Sequence, residues 1–145
     1  MSKTNLKIYF AGAIWGGRYN QEWFKKIIQY LNKYGKVLTT HIGDEKLTNK
    51  GEVGLTEEYI YKRDMKWLRE ADVLVAEVTT PSLGVGYEIA YAEKLNKRVF
   101  CLFRNSEEKR LSTIITGDPK LDVCWYDKVE DAYEAIDEFF NEYYG

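Results

Sequence analysis

The stretch Pro81–Glu88, with the sequence PSLGVGYE, decides the fold because it joins a predicted strand to a predicted helix. It follows the apolar run Val73–Val78, which is typical of a buried strand. It precedes Ile89–Leu95, whose pattern indicates a helix. In open α/β sheets, ligands bind outside the carboxyl ends of the strands, at turns of this kind. The two glycines let a ligand approach the backbone closely, and the helix start supplies free N–H groups.

Glu88 ends this stretch, and we expect it in the first turn of the helix. The helix dipole favours the ionised form of a carboxyl group at that place. A carboxylate that attacks a sugar as a nucleophile must be ionised, and a neighbouring turn that tolerates anions suits such a group. Glu88 is therefore the first candidate catalytic residue.

The composition predicts one soluble globular domain over residues 1–145. The chain is 45% hydrophobic and 30% charged, with a net charge of -2. Lysines alternate with acidic residues along the predicted helices, so no basic patch predicts a nucleic-acid polymer as partner. The absence of a membrane-length apolar run, and of a signal-peptide core in Met1–Asn5, predicts a cytoplasmic protein without membrane contact.

The cysteines and the histidine do not predict a metal site. Cys101 and Cys124 each lie in an apolar run that is typical of a strand, which predicts two buried, reduced thiols. His41 is the single histidine, and the chain has no cysteine cluster, so a zinc site is not expected.

Short apolar runs alternate with longer amphipathic segments along the chain. Strands are predicted at 6–12, 36–40, 72–79, 98–103 and 123–126, and helices at 21–34, 56–71, 84–96 and 129–143. Residues 43–55 and 105–118 are predicted loops, the second with one helical turn at 111–115. The alternation predicts an α/β, Rossmann-like three-layer sandwich with a parallel sheet. Five strands favour the flavodoxin-like order 2-1-3-4-5, in which the turns after strands one and three flank one crevice.

Asp64 interrupts an apolar stripe of the predicted helix 56–71, which Ile60, Leu68 and Ala71 form at helical spacing. Burial of a carboxylate costs free energy, so an aspartate in such a stripe needs a reason. One interpretation is a pair with lysine or arginine at the edge of the stripe. The other is a carboxyl group directed over the carboxyl end of the sheet. The pattern alone leaves both open.

The remaining polar candidates are individually more typical of structural residues. Tyr9 lies near the end of strand one, His41 at the end of strand two and Ser112 in the loop after strand four. Ser82 could donate to a phosphate, but serine is also a common turn former. The turn Ala11–Arg18 is glycine-rich without being GxGxxG or a P-loop, so a dinucleotide is not expected.

Together these segments resemble the 2′-deoxynucleoside 5′-phosphate N-hydrolases, within the nucleoside 2-deoxyribosyltransferase superfamily. The resemblance extends from the first strand to the loop after the fourth, and the long block that contains Glu88 is its most specific part. It rests on Tyr9–Arg18, Val37–His41, Asp64–Leu68, Ala71–Thr79, Pro81–Glu88, Asn96–Arg98, Cys101–Arg104 and Leu111–Ser112.

The resemblance implies a role for each matched residue. Glu88 corresponds to the nucleophile that attacks C1′ of deoxyribose and forms a covalent intermediate, and Asp64 to the acid that assists departure of the base. Tyr9 corresponds to a tyrosine that orients the nucleophile and disfavours a 2′-hydroxyl. Ser112 corresponds to a serine from the neighbouring subunit, which implies a homodimer. The other implied substrate-binding positions are Gly12, Ala13, Ile14, Trp15, Gly16, Gly17, Arg18, His41, Ser82 and Gly84.

Two positions depart from the family pattern in the first glycine turn. Ala13 stands where the hydrolases typically carry a serine, and Trp15 where they carry an arginine. These changes remove two donors that a phosphate would use. Backbone N–H groups, Ser82 and Ser112 could still hold the phosphate, and Trp15 could stack on the base.

The implied activity is hydrolysis of the N-glycosidic bond of 2′-deoxynucleoside 5′-monophosphates. The products would be the free base and 2-deoxyribose 5-phosphate, and no metal or redox cofactor would be needed. One alternative is a nucleoside 2-deoxyribosyltransferase, which Trp15 favours. The other is a non-catalytic nucleotide-binding module, against which the presence of both Glu88 and Asp64 argues. The sequence does not indicate the preferred base.

Overall fold

The computed structural model describes residues 5–14, 18–43, 52–105 and 110–145, the side chains of residues 18 and 19 excepted. The strands are β1 (Lys7–Gly12), β2 (Lys36–Val37), β3 (Val73–Glu77), β4 (Arg98–Arg104) and β5 (Leu121–Tyr126). The helices are α1 (Arg18–Leu31), α2 (Glu57–Glu70), α3 (Leu83–Lys94), α4 (Thr113–Gly117) and α5 (Val129–Tyr144). A short 3₁₀ helix covers Thr40–Gly43.

The five strands form one parallel sheet in the order β2-β1-β3-β4-β5, which confirms the predicted α/β fold and strand order. In the register of β1 and β3, Gly12 is the partner of Glu77, so both strands end at the same edge. The turns that follow them are therefore neighbours at the carboxyl edge of the sheet. No helix in the described ranges is long and apolar enough to cross a bilayer.

Alternate residues of the central strands face two separate cores, which gives the fold its three layers. Ile8 and Phe10 of β1 pack in a cluster with α1 and α5. Tyr9 and Ala11 of the same strand pack in a second cluster with α2 and α3. The face that carries Tyr9 is thus covered by the helices that carry Asp64 and Glu88.

Local sequence signals predict the start of α2 correctly, but they do not predict the length of the second strand. Thr56 Oγ1 accepts a hydrogen bond from the Tyr59 amide at 3.1 Å and caps α2, whose start at Glu57 lies within one residue of the predicted start at 56. The extension of strand two to residue 40 is wrong. Thr39 Oγ1 accepts from the Phe10 amide at 2.9 Å and donates to the Phe10 carbonyl at 2.6 Å, and the chain then enters the 3₁₀ helix. His41 therefore lies in that helix and does not end a strand.

Glu77, to which the sequence assigned no role, is the centre of a buried network at the end of β3. It is 3% exposed, and its two oxygens accept from the Thr79 amide at 2.8 Å and from Thr79 Oγ1 at 2.7 Å. The Tyr126 hydroxyl also donates to Glu77, and Trp23 Nε1 donates to that hydroxyl at 2.6 Å. The network joins β3 to β5 and α1, and so fixes the backbone just before Pro81.

Both cysteines are free thiols, as the sequence predicted. Burial raises the pKa of Cys101 to about 12. Cys124 is only half-buried, and burial raises the pKa of its thiol as well. Neither thiol is activated as a nucleophile, because the thiolate is the reactive form.

Candidate active site

A cavity of about 530 Å³ opens at the carboxyl edge of the sheet, between the turns that follow β1 and β3. Its walls come from β1, the 3₁₀ helix, α2 and the start of α3. It is lined by Ala11, Gly12, Ala13, Ile14, Ile42, Tyr61, Asp64, Met65, Thr80, Pro81, Ser82, Leu83, Gly84, Val85, Tyr87 and Glu88. Asp64 and Glu88, which are 24 positions apart in sequence, are thus brought to one cavity.

Tyr9 and Glu88 form a direct hydrogen bond in which the phenol donates to Glu88 Oε2. Tyr9 is 1% exposed, because β1 buries it under α2 and α3. Burial, and then the charges of Glu88 and Asp64, raise the pKa of Tyr9, so the phenol stays protonated and remains a donor. The contact fixes the orientation of the Glu88 carboxyl group.

The protonation of Glu88 differs from the sequence expectation. Helix α3 begins at Leu83, with Ser82 as its cap, so Glu88 lies in the second turn and beyond the strongest influence of the helix dipole. Its pKa is raised to about 7: burial raises it most, the Tyr9 hydrogen bond lowers it, and the charge of Asp64 raises it. The expectation that the dipole keeps Glu88 ionised is therefore wrong. The carboxyl group titrates close to neutral pH, in the range that suits a catalytic group.

Asp64 satisfies both interpretations that the sequence left open. Its Oδ1 accepts a hydrogen bond from Arg63 Nε at 3.0 Å and forms an ion pair with Arg63 Nη2 at 2.9 Å, and the residue also lines the cavity. Burial raises the pKa of Asp64, and the hydrogen bond and charge of Arg63 oppose that shift. Two carboxyl groups in one cavity whose pKa values are raised, mainly by burial, are expected features of an acid–base site.

The turn after β3 forms an anion-compatible start of α3. Ser82 Oγ accepts from the Val85 amide at 3.2 Å, which leaves the hydroxyl proton available to a ligand. A Cβ atom added at Gly84 would meet only Ser82 Oγ, at 3.8 Å, so packing inside the protein does not require this glycine. Gly12 differs, because a Cβ there would approach the Phe24 ring to 2.7 Å. Packing against Phe24 therefore requires a glycine at position 12, whereas the absence of a side chain at Gly84 leaves open space at the cavity.

The other predicted site residues that the structure describes lie at three different places. Ala13 and Ile14 line the cavity. His41 does not line the cavity; its Nε2 lies 3.3 Å from Arg63 Nη2 and its ring 5.6 Å from that of Trp67. Ser112 caps the exposed helix α4 and does not line the cavity. Trp15, Gly16, Gly17 and the side chain of Arg18 lie outside the described residues, as do positions 44–51 of the predicted loop.

Sequence reasoning missed the apolar walls of the cavity. Tyr61 and Met65 line it together with Asp64. Helical spacing could have identified them, because residues three and four apart share a helix face. Tyr87 and Ile42 complete an apolar surface on which a base or sugar ring can pack.

The family model described as nucleoside 2-deoxyribosyltransferase matches residues 8–132. The chain belongs to this family. The match confirms the resemblance that the motifs indicated, and it includes β1, α2 and α3, which carry Tyr9, Asp64 and Glu88.

Named relatives and a solved structure agree with this placement. The chain is 42% identical over 139 residues to the 5-hydroxymethyl-dUMP N-hydrolase of Mus musculus, covering 94% of this chain and 80% of that protein. It is 49% identical over 118 residues to a Nematostella vectensis protein provisionally named 2′-deoxynucleoside 5′-phosphate N-hydrolase 1, covering 80% of each. The structure of a Clostridium botulinum CMP N-glycosidase superposes with a TM-score of 0.66 at 17% identity, over 92% of this chain and 98% of that chain. At 17% identity, the similarity to the glycosidase structure shows a shared fold.

Proposed function

We propose that the protein hydrolyses the N-glycosidic bond of 2′-deoxynucleoside 5′-monophosphates and releases the free base and 2-deoxyribose 5-phosphate. The observation that carries the proposal is the hydrogen bond from Tyr9 to Glu88, in a cavity that Asp64 also lines. The names of the mouse and Nematostella vectensis relatives support the substrate class. A binding module would gain nothing from two carboxyl groups that face an anionic ligand.

In the first step, ionised Glu88 attacks C1′ of the deoxyribose. An Oε–C1′ bond forms and the bond between C1′ and the base nitrogen breaks, with its electron pair going to the base. The two carboxyl groups share one proton, and the reacting form is the one that carries it on Asp64, which donates it to the departing base. Tyr9 holds the attacking oxygen in place and disfavours a 2′-hydroxyl beside it.

In the second step, water resolves the covalent intermediate. Asp64, now ionised, accepts a proton from the water, whose oxygen bonds to C1′ while the bond to Glu88 breaks. The acid of the first step thus serves as the base of the second, and both carboxyl groups return to their starting states. Mass spectrometry of rapidly quenched enzyme is expected to find deoxyribose phosphate on the peptide that contains Glu88.

The direct test is incubation of the wild-type protein with each deoxynucleoside monophosphate, followed by chromatography of the released base. We expect release from at least one deoxynucleotide and much slower release from the matching ribonucleotide. No release from any deoxynucleotide would reject the proposal. Addition of a second free base tests the alternative that the family description favours, because only a transferase forms the exchanged nucleoside efficiently.

We expect Gly84→Ala to weaken the binding of phosphorylated substrates without destabilising the fold. Alanine is favoured over glycine in a helix by about 1 kcal/mol, but its Cβ would occupy the space at the cavity into which we place the phosphate. KM for deoxynucleotides should rise about tenfold, with kcat little changed. Steady-state kinetics and thermal unfolding measure the two effects.

The matched control is Gly86→Ala, in the same helix. A Cβ at Gly86 would meet no atom within 4 Å, and Gly86 does not line the cavity. This variant should gain similar stability with unchanged KM. Equal KM values in the two variants would place the phosphate elsewhere.

We further propose that a homodimer completes each site with Ser112 of the neighbouring subunit. Ser112 and the adjacent Ile114, which is 80% exposed, lie on the surface of α4. Leu83, at the cavity, is 96% exposed. Exposed apolar residues at both places support an interface between copies of this chain.

Mixed dimers are expected to restore the activity that Ser112→Ala loses. The Ser112→Ala variant should release base about tenfold more slowly, because a phosphate donor is lost. With an excess of a Glu88→Gln variant, each Ser112→Ala protomer receives an intact serine from its partner while retaining its own Glu88. Rates per Ser112→Ala protomer should then approach those of the wild type. Unchanged rates in the mixture, with exchange of protomers verified by native mass spectrometry, would show that Ser112 does not act across a dimer.

A further inference from the structure

Arg63 is the arginine that contacts the candidate acid of the site. It directly precedes Asp64 on α2, and its side chain is 15% exposed. Its Nε donates to Asp64 Oδ1 at 3.0 Å, and its Nη2 forms an ion pair with the same oxygen at 2.9 Å. In the part of the chain that the structure describes, Asp64 Oδ2 receives no hydrogen bond, so it is the oxygen left for a substrate.

A second carboxylate holds the guanidinium of Arg63 in place. Nη1 and Nη2 donate to the two oxygens of Glu52, both at 2.7 Å, in a bidentate pair. The Glu52 side chain is only 10% exposed, so water screens this pair weakly. Glu52 lies 11 positions before Arg63, just ahead of α2, and thus ties the chain that enters this helix to the site.

Aromatic groups fix the plane of the guanidinium. Its central carbon lies 4.8 Å from the centre of the Trp67 ring, one helical turn further along α2. His41 Nε2 lies 3.3 Å from Nη2. The three nitrogens of the planar fork are therefore all engaged, which a lysine ammonium could not reproduce.

We propose that Arg63 is a positioning residue that fixes the Asp64 carboxyl group for proton transfer to and from the substrate, with Glu52 holding Arg63 in that orientation. Only the expected effect on the reaction rate rests on the proposed function; the positioning of Asp64 by Arg63 does not. One hydrogen bond and one ion-pair contact from Arg63, both to Oδ1, hold the Asp64 carboxyl group in its orientation. Loss of these contacts lets the carboxyl group turn, and small misplacements of a catalytic group cost as much as about 100-fold in rate.

The kinetic test compares Arg63→Gln and Arg63→Lys with wild type. Both variants should lower kcat about 10- to 100-fold and leave KM within about threefold, because substrate contacts remain. Recovery of activity in Arg63→Lys would overturn the proposal, since charge alone would then suffice. The control is Lys62→Gln, which removes a cation from the adjacent position, where the pair with Glu58 is exposed. This control should retain wild-type rates.

A double-mutant cycle separates positioning from a general structural effect. In an Asp64→Asn background, Arg63→Gln should change kcat by less than about twofold, because Arg63 acts through Asp64. Losses that multiply would overturn the proposal. If Arg63→Gln fails to fold, Glu52→Gln takes its place, with a smaller expected loss and the same non-additivity.

A titration distinguishes failure of this inference from failure of the proposed function. The carboxyl carbon of Asp64 can be followed by NMR against pH in wild type, Arg63→Gln and Lys62→Gln. The pKa of Asp64 should rise in Arg63→Gln, since both effects of Arg63 lower it, and stay unchanged in Lys62→Gln. This result is expected even if wild type releases no base. An unchanged midpoint in Arg63→Gln would reject the Arg63–Asp64 pairing whatever the reaction.

Discussion

Glu88→Gln is expected to abolish base release while making the folded protein more stable above neutral pH. The amide is nearly the same size as the carboxyl group and still offers an oxygen to the Tyr9 hydroxyl. It cannot form the covalent bond to C1′, so we expect a loss of at least about 10³-fold in kcat/KM. This is the largest effect on activity that the proposed function predicts for a single substitution.

The gain in stability follows from the raised pKa of Glu88. In the unfolded chain the carboxyl group titrates near 4.5, and in the folded protein its pKa is about 7, mainly because of burial. Below 4.5 both states are protonated and the carboxyl group costs nothing. As pH rises from 4.5 to about 7, the unfolded state ionises first, so the free energy of unfolding falls. Above that range the full penalty is present, and Glu88→Gln should recover about 1–3 kcal/mol of it.

Urea unfolding at about pH 4.5 and about pH 8 measures this difference. The two proteins should have similar free energies of unfolding at the lower pH and diverge at the higher one. Glu70→Gln is the control, because Glu70 is exposed at the end of α2. An active Glu88→Gln enzyme would remove Glu88 from the mechanism. A Glu88→Gln protein that is less stable than wild type at both pH values would contradict the penalty of burial.

The fold and the two candidate acids could be predicted because local signals determine them. The capping serine, the glycines of Pro81–Glu88 and the apolar run before them define one strand–turn–helix unit, and the strand order follows from alternation along the chain. Asp64 was conspicuous because a carboxylate interrupts an apolar stripe. These features depend on neighbours within a few positions, which a single sequence displays.

The protonation state and the partners of these acids depend on contacts that the sequence does not display. The dipole argument for Glu88 is worth about 0.3–1 kcal/mol and fades after the first turn, whereas burial against Tyr9 and α2 acts in the opposite direction and is larger. Tyr9 reaches Glu88 across 79 positions of sequence. The pair of Arg63 with Glu52 was equally hidden, because Glu52 precedes the helix in a segment without periodicity. Tertiary contacts thus determine the ionisation of Glu88 and the partners of both acids.

Tyr9→Phe and Asp64→Asn are expected to move the pKa of the Glu88 carboxyl group in opposite directions. NMR of the carboxyl carbon of Glu88 against pH follows this ionisation in the free protein, where the wild-type pKa is about 7. The Tyr9 hydrogen bond lowers that pKa, so its loss in Tyr9→Phe raises the midpoint. The charge of Asp64 raises the pKa of Glu88, so its loss in Asp64→Asn lowers the midpoint. In the base-release assay we expect losses of about 10-fold for Tyr9→Phe and about 10²–10³-fold for Asp64→Asn.

Titration of the free protein separates Glu88 from the substrate. A phosphate monoester itself titrates near pH 6 and would add its own ionisation to every kcat/KM profile. Without substrate, the midpoint belongs to the enzyme group alone. A lost hydrogen bond and a lost negative charge have no other reason to shift this midpoint with opposite sign. Midpoints that move in the same direction, or that stay together, would show that Tyr9 and Asp64 do not control the ionisation of Glu88.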